Sequence, residues 1–317
     1  MEKAFYEGLV EGNIDKLLSV PKSDIHNHSS KGCRSAWLQD RLNCKLPKPP
    51  AKFDGLDGMH EWFSTEIKPY CKGSEKLILR WEGAFAEAKR NNIKRLAMNF
   101  GVGDIELVGG GDFFKETIET FHNEYCPDTV FEPELTYPSF CDVQLEADRI
   151  DEYISDGYFK SIDVCGGENV QPFEAFIPLY KKAEKYNLTK IMHVGETGSA
   201  EDVRKAVDVL GLDEIHHGIN AAASKEVMKF LADNQIQLNV CPSSNVMLGF
   251  ADSYGAHPIK ILYENGVKLT INTDDLLIFD STIENEYLML YKSGALIAEA
   301  LDEIRINGLK SRGGLIE

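Results

Sequence analysis

The chain has 317 residues, 43% of them hydrophobic, which is too long for a small stapled module and suits one α/β barrel, since such barrels run past about 250 residues as one domain. Its 34 basic against 51 acidic residues leave a formal charge of −17, which argues against nucleic acid as a partner, because polyanion binding draws on clustered Lys and Arg. Seven cysteines, an odd number without a CxxC pair, argue against a disulfide framework or a Cys-rich zinc module and read as the reduced thiols of a cytoplasmic protein.

From the N-terminus, Met1 to Val20 mixes acidic and basic residues with apolar ones at helical spacing, and it lacks the basic start and apolar core of a signal peptide. No run approaches the ~18 apolar residues of a membrane span, so no membrane partner is expected. Short apolar or β-branched runs recur at about 22–27, 93–100, 129–136, 159–164, 189–194, 213–217, 236–240 and 267–272, and most gaps between them carry a helical period. Eight strands alternating with helices predict a (β/α)₈ TIM barrel, a single domain over 1–317 with an N-terminal helix. After the first strand, Ser30 to Ser74 is rich in Pro, Gly and Lys and reads as a lid-like insertion over the barrel mouth. Asp104 to Asp112, with three consecutive glycines, reads as a mobile mouth loop. Phe173, Phe176, Ile177, Tyr180 and Ala183 form one core-facing helical stripe, and Val203, Val207 and Leu210 form another.

The chemistry begins at His26 and His28. Side chains two apart on a strand point the same way, so both imidazoles aim into the barrel mouth, where they can share one metal ion. His193 ends the fifth predicted strand and completes a three-histidine set that suits zinc. Asp274, after the eighth strand, supplies a fourth ligand, with Asp275 beside it. A zinc ion brings the pKa of its bound water toward neutrality, and protons must still be moved. Glu196, three residues past His193, is placed to do that. His217, after the sixth strand, is placed to orient the attacking oxygen, whereas His216 is expected to point the opposite way and to be packed or supporting. Ser244, after the seventh strand, belongs to the same set.

The motifs His26-Asn-His28, His193-Val-Gly-Glu196, His217-Gly, Cys241-Pro-Ser-Ser-Asn245 and Asn272-Thr-Asp-Asp275, in register from residue 20 to about 280, resemble those of the adenosine deaminase family within the amidohydrolase superfamily. The resemblance implies that His26, His28, His193 and Asp274 hold one Zn²⁺ per chain, with another divalent ion as an alternative. It further implies that Glu196 protonates N1 of a purine, and that His217 and Asp275 handle the attacking water, Asp275 also lying near purine N7. Ile162-Asp-Val-Cys-Gly-Gly-Glu168 is similar to the family's fourth-strand segment, so the Gly166 backbone is expected to contact purine N3. The zinc deaminases with HxE and PCxxC are excluded, because no cysteine pair has that spacing.

One departure bears on the substrate. Where the family usually carries an acid, two residues past the second histidine, this chain has Ser30, followed by Lys31. Ser30 is therefore a candidate substrate contact, with Asp40, Asp54 and Asp57 available to replace the missing acceptor. The expected activity is hydrolytic deamination of an aminopurine nucleoside or a close derivative, adenosine to inosine and ammonia leading. A different amine or amide is the alternative. A non-catalytic purine-binding protein is disfavoured, because a binder has no need of a proton shuttle.

Overall fold

In the computed structural model, which describes residues 2–312, the eight expected runs are eight parallel strands hydrogen-bonded in sequence order. They are β1 (Lys22–His28), β2 (Ile93–Gly101), β3 (Val130–Pro138), β4 (Ser161–Cys165), β5 (Thr189–Val194), β6 (Glu214–His217), β7 (Gln237–Val240) and β8 (Lys268–Ile271). The first and last strands meet through an isolated parallel bridge between Asn27 and Asp274. There the Asp274 N–H donates to the His26 carbonyl at 3.0 Å and the His28 N–H to the Asp274 carbonyl at 3.2 Å. The result is a (β/α)₈ barrel, preceded by the expected N-terminal helix Lys3–Glu11.

The alternation of each strand sorts its side chains. Outward positions such as Leu96, Met98, Leu135, Ile162, Ile215, Leu238 and Leu269 are buried in one apolar cluster with the surrounding helices. Inward positions are polar: Glu132, Glu134, Asp163, His216, Glu214 and Asn239 are all buried inside the barrel. Buried charge must be paired, and Arg312, past the last helix, supplies a partner. Its guanidinium donates to both Glu214 oxygens at 2.9 and 2.8 Å and lies 3.6 Å from Glu134 and 4.0 Å from Glu132.

The segment after β1 folds as helices at Ser35–Leu42 and Gly55–Trp62 continued by a π-helical turn over Phe63–Ile67. Its Met59, with Phe53, Leu56, Trp62 and Phe63, packs against Leu248, Ile278 and Phe279 from beyond β7 and β8. The expectation of a loop over Asp104 to Asp112 is corrected. Helix Val102–Leu107 and helix Gly111–Tyr125 meet there, and the glycines form the turn between them, Gly109 and Gly110 at φ 115 and 97°. The stripe from Phe173 to Ala183 begins as a 3₁₀ turn, Phe173–Phe176, and becomes α-helical at Ile177.

Arg312→Met removes the guanidinium and leaves the interior carboxylates with one cation fewer. We expect a loss of stability on the order of 3–5 kcal/mol, read as a shift of the urea midpoint. A midpoint equal to that of the parent chain would show that Arg312 does not close the barrel floor.

Candidate active site

At the C-terminal ends of the strands, His26, His28, His193, His217, Asp274 and Asp275 converge. His26 Nε2 lies 3.1 Å from His193 Nε2 and 3.8 Å from Asp274 Oδ1, and His28 Nε2 lies 3.4 Å from the same Asp274 oxygen. Which proton each ring carries follows from its other nitrogen. His26 Nδ1 faces the Asn239 carbonyl at 3.2 Å, which can only accept, so that nitrogen donates; His193 Nδ1 faces Asp163 Oδ1 at 3.0 Å, a carboxyl that burial raises well above the usual range and that accepts from the ring once it ionises. Both Nε2 atoms then present lone pairs, and two lone pairs 3.1 Å apart repel unless a cation lies between them. Burial pushes His26 down to about 3 and His193 down to about 4, and holds His28 and His217 well below the usual histidine range, so the rings are neutral at pH 7, the form that ligates metal. Donor atoms of His26, His193 and His217 lie within 4.8 Å of one another, as do those of His28, Asp274 and Asp275. This donor set fits a divalent ion of the zinc class.

The other groups form a second chain of fixed polarity. The Ile259 N–H donates to His257 Nδ1 at 3.1 Å, so His257 carries its proton on Nε2, which faces Asn245 Oδ1 at 3.3 Å. The Asn245 amide nitrogen therefore turns inward, 3.3 Å from Glu196 Oε1 and 3.2 Å from His217 Nδ1. His217 Nδ1 accepts, which leaves its proton on Nε2, the nitrogen 3.8 Å from Asp274 Oδ2. Burial, helped by the charges of Asp274 and Glu168, raises Glu196 well above the usual carboxyl range. Asp275 Oδ2 accepts from Lys31 Nζ at 2.8 Å, while its Oδ1 is buried without a partner among the described residues.

Backbone conformation aims several of these groups. His217 has φ 64° and Asp274 φ 58°, left-handed values that break the strand alternation. For that reason the expected opposition of His216 and His217 is not found. His216 lies inside the barrel, stacked on His26 with ring centroids 3.8 Å apart, and donates from Nε2 to Glu134 at 2.9 Å. Gly195, between His193 and Glu196, has φ 77°, and a Cβ there would lie 2.2 Å from Val203.

One pocket is lined by His28, Glu196, His217, Asp274, Asp275 and Gly166, together with Lys31 and with Leu56 and Met59 from the segment after β1. Ser30 is not among its lining residues. The chain makes a 3₁₀ turn over Ser29–Lys31, which carries Lys31 into the pocket, and the Ser30 carbonyl accepts from Arg80 at 2.5 Å. Asp40, Asp54 and Asp57 are exposed and outside it, and Ser244 is buried in helix Pro242–Met247 without lining it. Sequence reasoning assigned no role to Asp163, His257 or Asn245. The acid of Ile-Asp163-Val, inside an apolar strand, was a readable sign of a buried partner; His257, in an irregular segment, gave none.

The adenosine deaminase family model matches residues 142–312. A Treponema pallidum (strain Nichols) protein, provisionally named an adenosine/adenine deaminase, is 32% identical over 297 residues, covering 92% of this chain and 99% of its own. The adenine deaminase of Arthrobacter aurescens has the same fold, with a TM-score of 0.79 at 19% identity over 92% of this chain and 93% of its own. An amidohydrolase from Burkhoderia ambifaria, solved with bound Zn, superposes at a TM-score of 0.75 and 16% identity over 100% of this chain and 89% of its own.

Two substitutions test the donor set and its support. His26→Ala should abolish stoichiometric divalent metal measured by mass spectrometry, whereas Asp163→Ala, which removes only the acceptor behind His193, should weaken metal affinity by about 10- to 100-fold. Full metal content in His26→Ala would show that the ligands lie elsewhere.

Proposed function

The chain belongs to the adenosine deaminase family and is a hydrolytic aminohydrolase, and from that premise we propose that it removes the 6-amino group of an aminopurine nucleoside or close derivative, adenosine first. Water replaces the amine: a C–O bond forms at C6, the C–N bond breaks, ammonia leaves and a 6-oxopurine results. The observation that carries this reading is the buried Glu196 carboxyl, 3.5 Å from His217 Nδ1 and beside the ring of histidines, in surroundings that favour its protonated form. A carboxyl that keeps its proton at neutral pH can give it to a ring nitrogen, and only then does C6 become electrophilic enough for water.

The residues then take distinct roles. His26, His28, His193 and Asp274 hold one divalent ion, zinc in our reading, which supplies the charge that makes water a competent nucleophile near pH 7. His217, with its proton on Nε2, donates to the attacking oxygen and so fixes its direction. Asp275 Oδ1, buried and unpartnered, accepts from the water or from the purine N7 side. Gly166, at φ 93° and on the pocket wall, offers backbone to the base from the opposite side. Lys31, rather than Ser30, is the polar residue that the turn after β1 delivers, and its charge is already taken by Asp275. The helices of 30–74, through Leu56 and Met59, act as a cover over the substrate.

The direct experiment is a spectral assay over adenosine, adenine and 5′-modified nucleosides, following loss of the 6-amino chromophore. Turnover on none of them would sink the purine reading. Glu196→Gln keeps size and removes the proton. Its kcat should fall by ~10²–10⁴ while metal content stays the same, and near-normal turnover would reduce Glu196 to a structural acid.

A further inference from the structure

The four peptide N–H groups of Gly195, Glu196, Thr197 and Gly198 all end on one side chain. Glu168 Oε2 accepts from Gly195 at 2.7 Å and Gly198 at 3.0 Å, while Oε1 accepts from Glu196 at 2.8 Å, Thr197 at 2.6 Å and the Thr197 hydroxyl at 3.2 Å. The carbonyls of the same turn end on Asn220. Its backbone N–H donates to the Gly195 carbonyl at 2.8 Å, and its side-chain amide donates to those of Glu196 at 3.1 Å and Gly198 at 2.7 Å. Seven of the eight backbone polar groups of a four-residue turn are thus held by two residues from the neighbouring strand loops, six by their side chains and one by the Asn220 backbone N–H. Gly195, Glu196 and Gly198 are buried, so their backbone groups need partners within the protein, and here those partners are concentrated on two residues rather than spread over the neighbouring backbone.

The fit is tight as well as polar. A Cβ on Gly198 would lie 2.5 Å from Glu168 Oε2, and one on Gly195 would lie 3.2 Å from the Gly218 backbone, so this turn has glycine where a side chain would push the carboxylate or the neighbouring turn away. Glu168 itself follows Gly166 and Gly167, whose φ values of 93 and 131° let the chain after β4 double back toward β5. Glu196 rides on this turn, three residues beyond the metal-facing His193.

We infer that Glu168 and Asn220 are positioning residues: together they fix the turn that presents the Glu196 carboxyl to the substrate. The requirement is geometric, because an acid displaced by about 1 Å from the nitrogen it protonates can lose on the order of 10²-fold in rate. A glutamine at 168 keeps one acceptor oxygen and sets an NH₂ donor against two peptide N–H groups, so the turn has to shift although volume is preserved. The inference rests on the acid role of Glu196 proposed above.

A double-mutant cycle in the metal-loaded, full-length enzyme separates positioning from stability. For Glu168→Gln we expect kcat to fall about 10- to 100-fold with KM changed less than about threefold, and metal content and melting temperature close to the parent values. In a Glu196→Gln background the same change should cost less than about twofold, because there is no longer an acid to aim. A loss that persists undiminished in that background overturns the positioning inference and leaves the role of Glu196 standing. Near-normal turnover of Glu196→Gln alone instead overturns the acid role. Where Glu168→Gln does not fold, Asn220→Ala takes its place in the same cycle with the same two outcomes, and full activity in Asn220→Ala overturns the inference. An unchanged kcat with a raised KM does so too, since it would make Glu168 a substrate contact.

Discussion

The arrangement of this molecule depends on two imidazole nitrogens that face each other at 3.1 Å across the barrel mouth. With Asp163 ionised that approach is unfavourable unless a cation lies between the rings, and it is set by what stands behind each of them: the Asn239 carbonyl for His26 and Asp163 for His193. Asp163 is held in turn by Asn99 at 2.9 Å, and His26 is stacked on His216, which donates to Glu134. The lone pairs are therefore aimed from below by a polar interior that has to be built first. A barrel filled with Val and Leu would pack as well, but it would leave the rings free to turn away.

That interior has its own electrostatic condition. Burial and the charge of Asp163 push Glu134 up to about 8 and burial raises Glu132, whereas Glu214, against its own burial, is held below the usual carboxyl range by Arg312; Arg95 pairs with Glu132 at 2.9 Å. One continuous network thus runs from the end of the chain, through Arg312, Glu134 and His216, to the face of His26. Stability of the barrel floor and orientation of a site residue at its top are carried by the same run of contacts, an ion pair, a hydrogen bond and a ring stack. Substitutions in that floor are expected to show in both, with effects that do not add.

How much of this could be read from sequence follows from periodicity. The strands were legible because their outward positions repeat as apolar residues every second place, and the site because its residues cluster where those runs end. One misreading has a backbone cause. His216 and His217 were expected to oppose each other, as on a regular strand, but φ turns positive at His217; the same happens at Asp274, where the expected residue still reaches the site. Asp and His enter left-handed backbone more readily than most residues, but that tendency does not say which of them will. Ser30 fell to a related effect, since a 3₁₀ turn of three residues moved Lys31 to the pocket in its place. The Glu168 and Asn220 contacts were illegible for a different reason: both bind backbone, which has no side-chain identity to signal a partner.

Adjacent carboxylates at a buried site pose a last problem, and its solution bears on specificity. Burial raises both Asp274 and Asp275, and the charge of Asp275 raises Asp274 further. The left-handed φ at Asp274 turns its oxygens to the histidines, 3.4 and 3.8 Å away, while Asp275 turns to Lys31. Lys31 thereby balances one of the two acids, and the divalent ion proposed for the site would balance the other. Lys31 is consequently not a free positive charge waiting for an anionic substrate. An incoming phosphate would have to draw it from Asp275 and leave that carboxylate buried and unpaired, which costs more than a surface lysine would ask. The side chain that balances Asp275 stands one residue beyond Ser30, the position at which the family usually carries its acid.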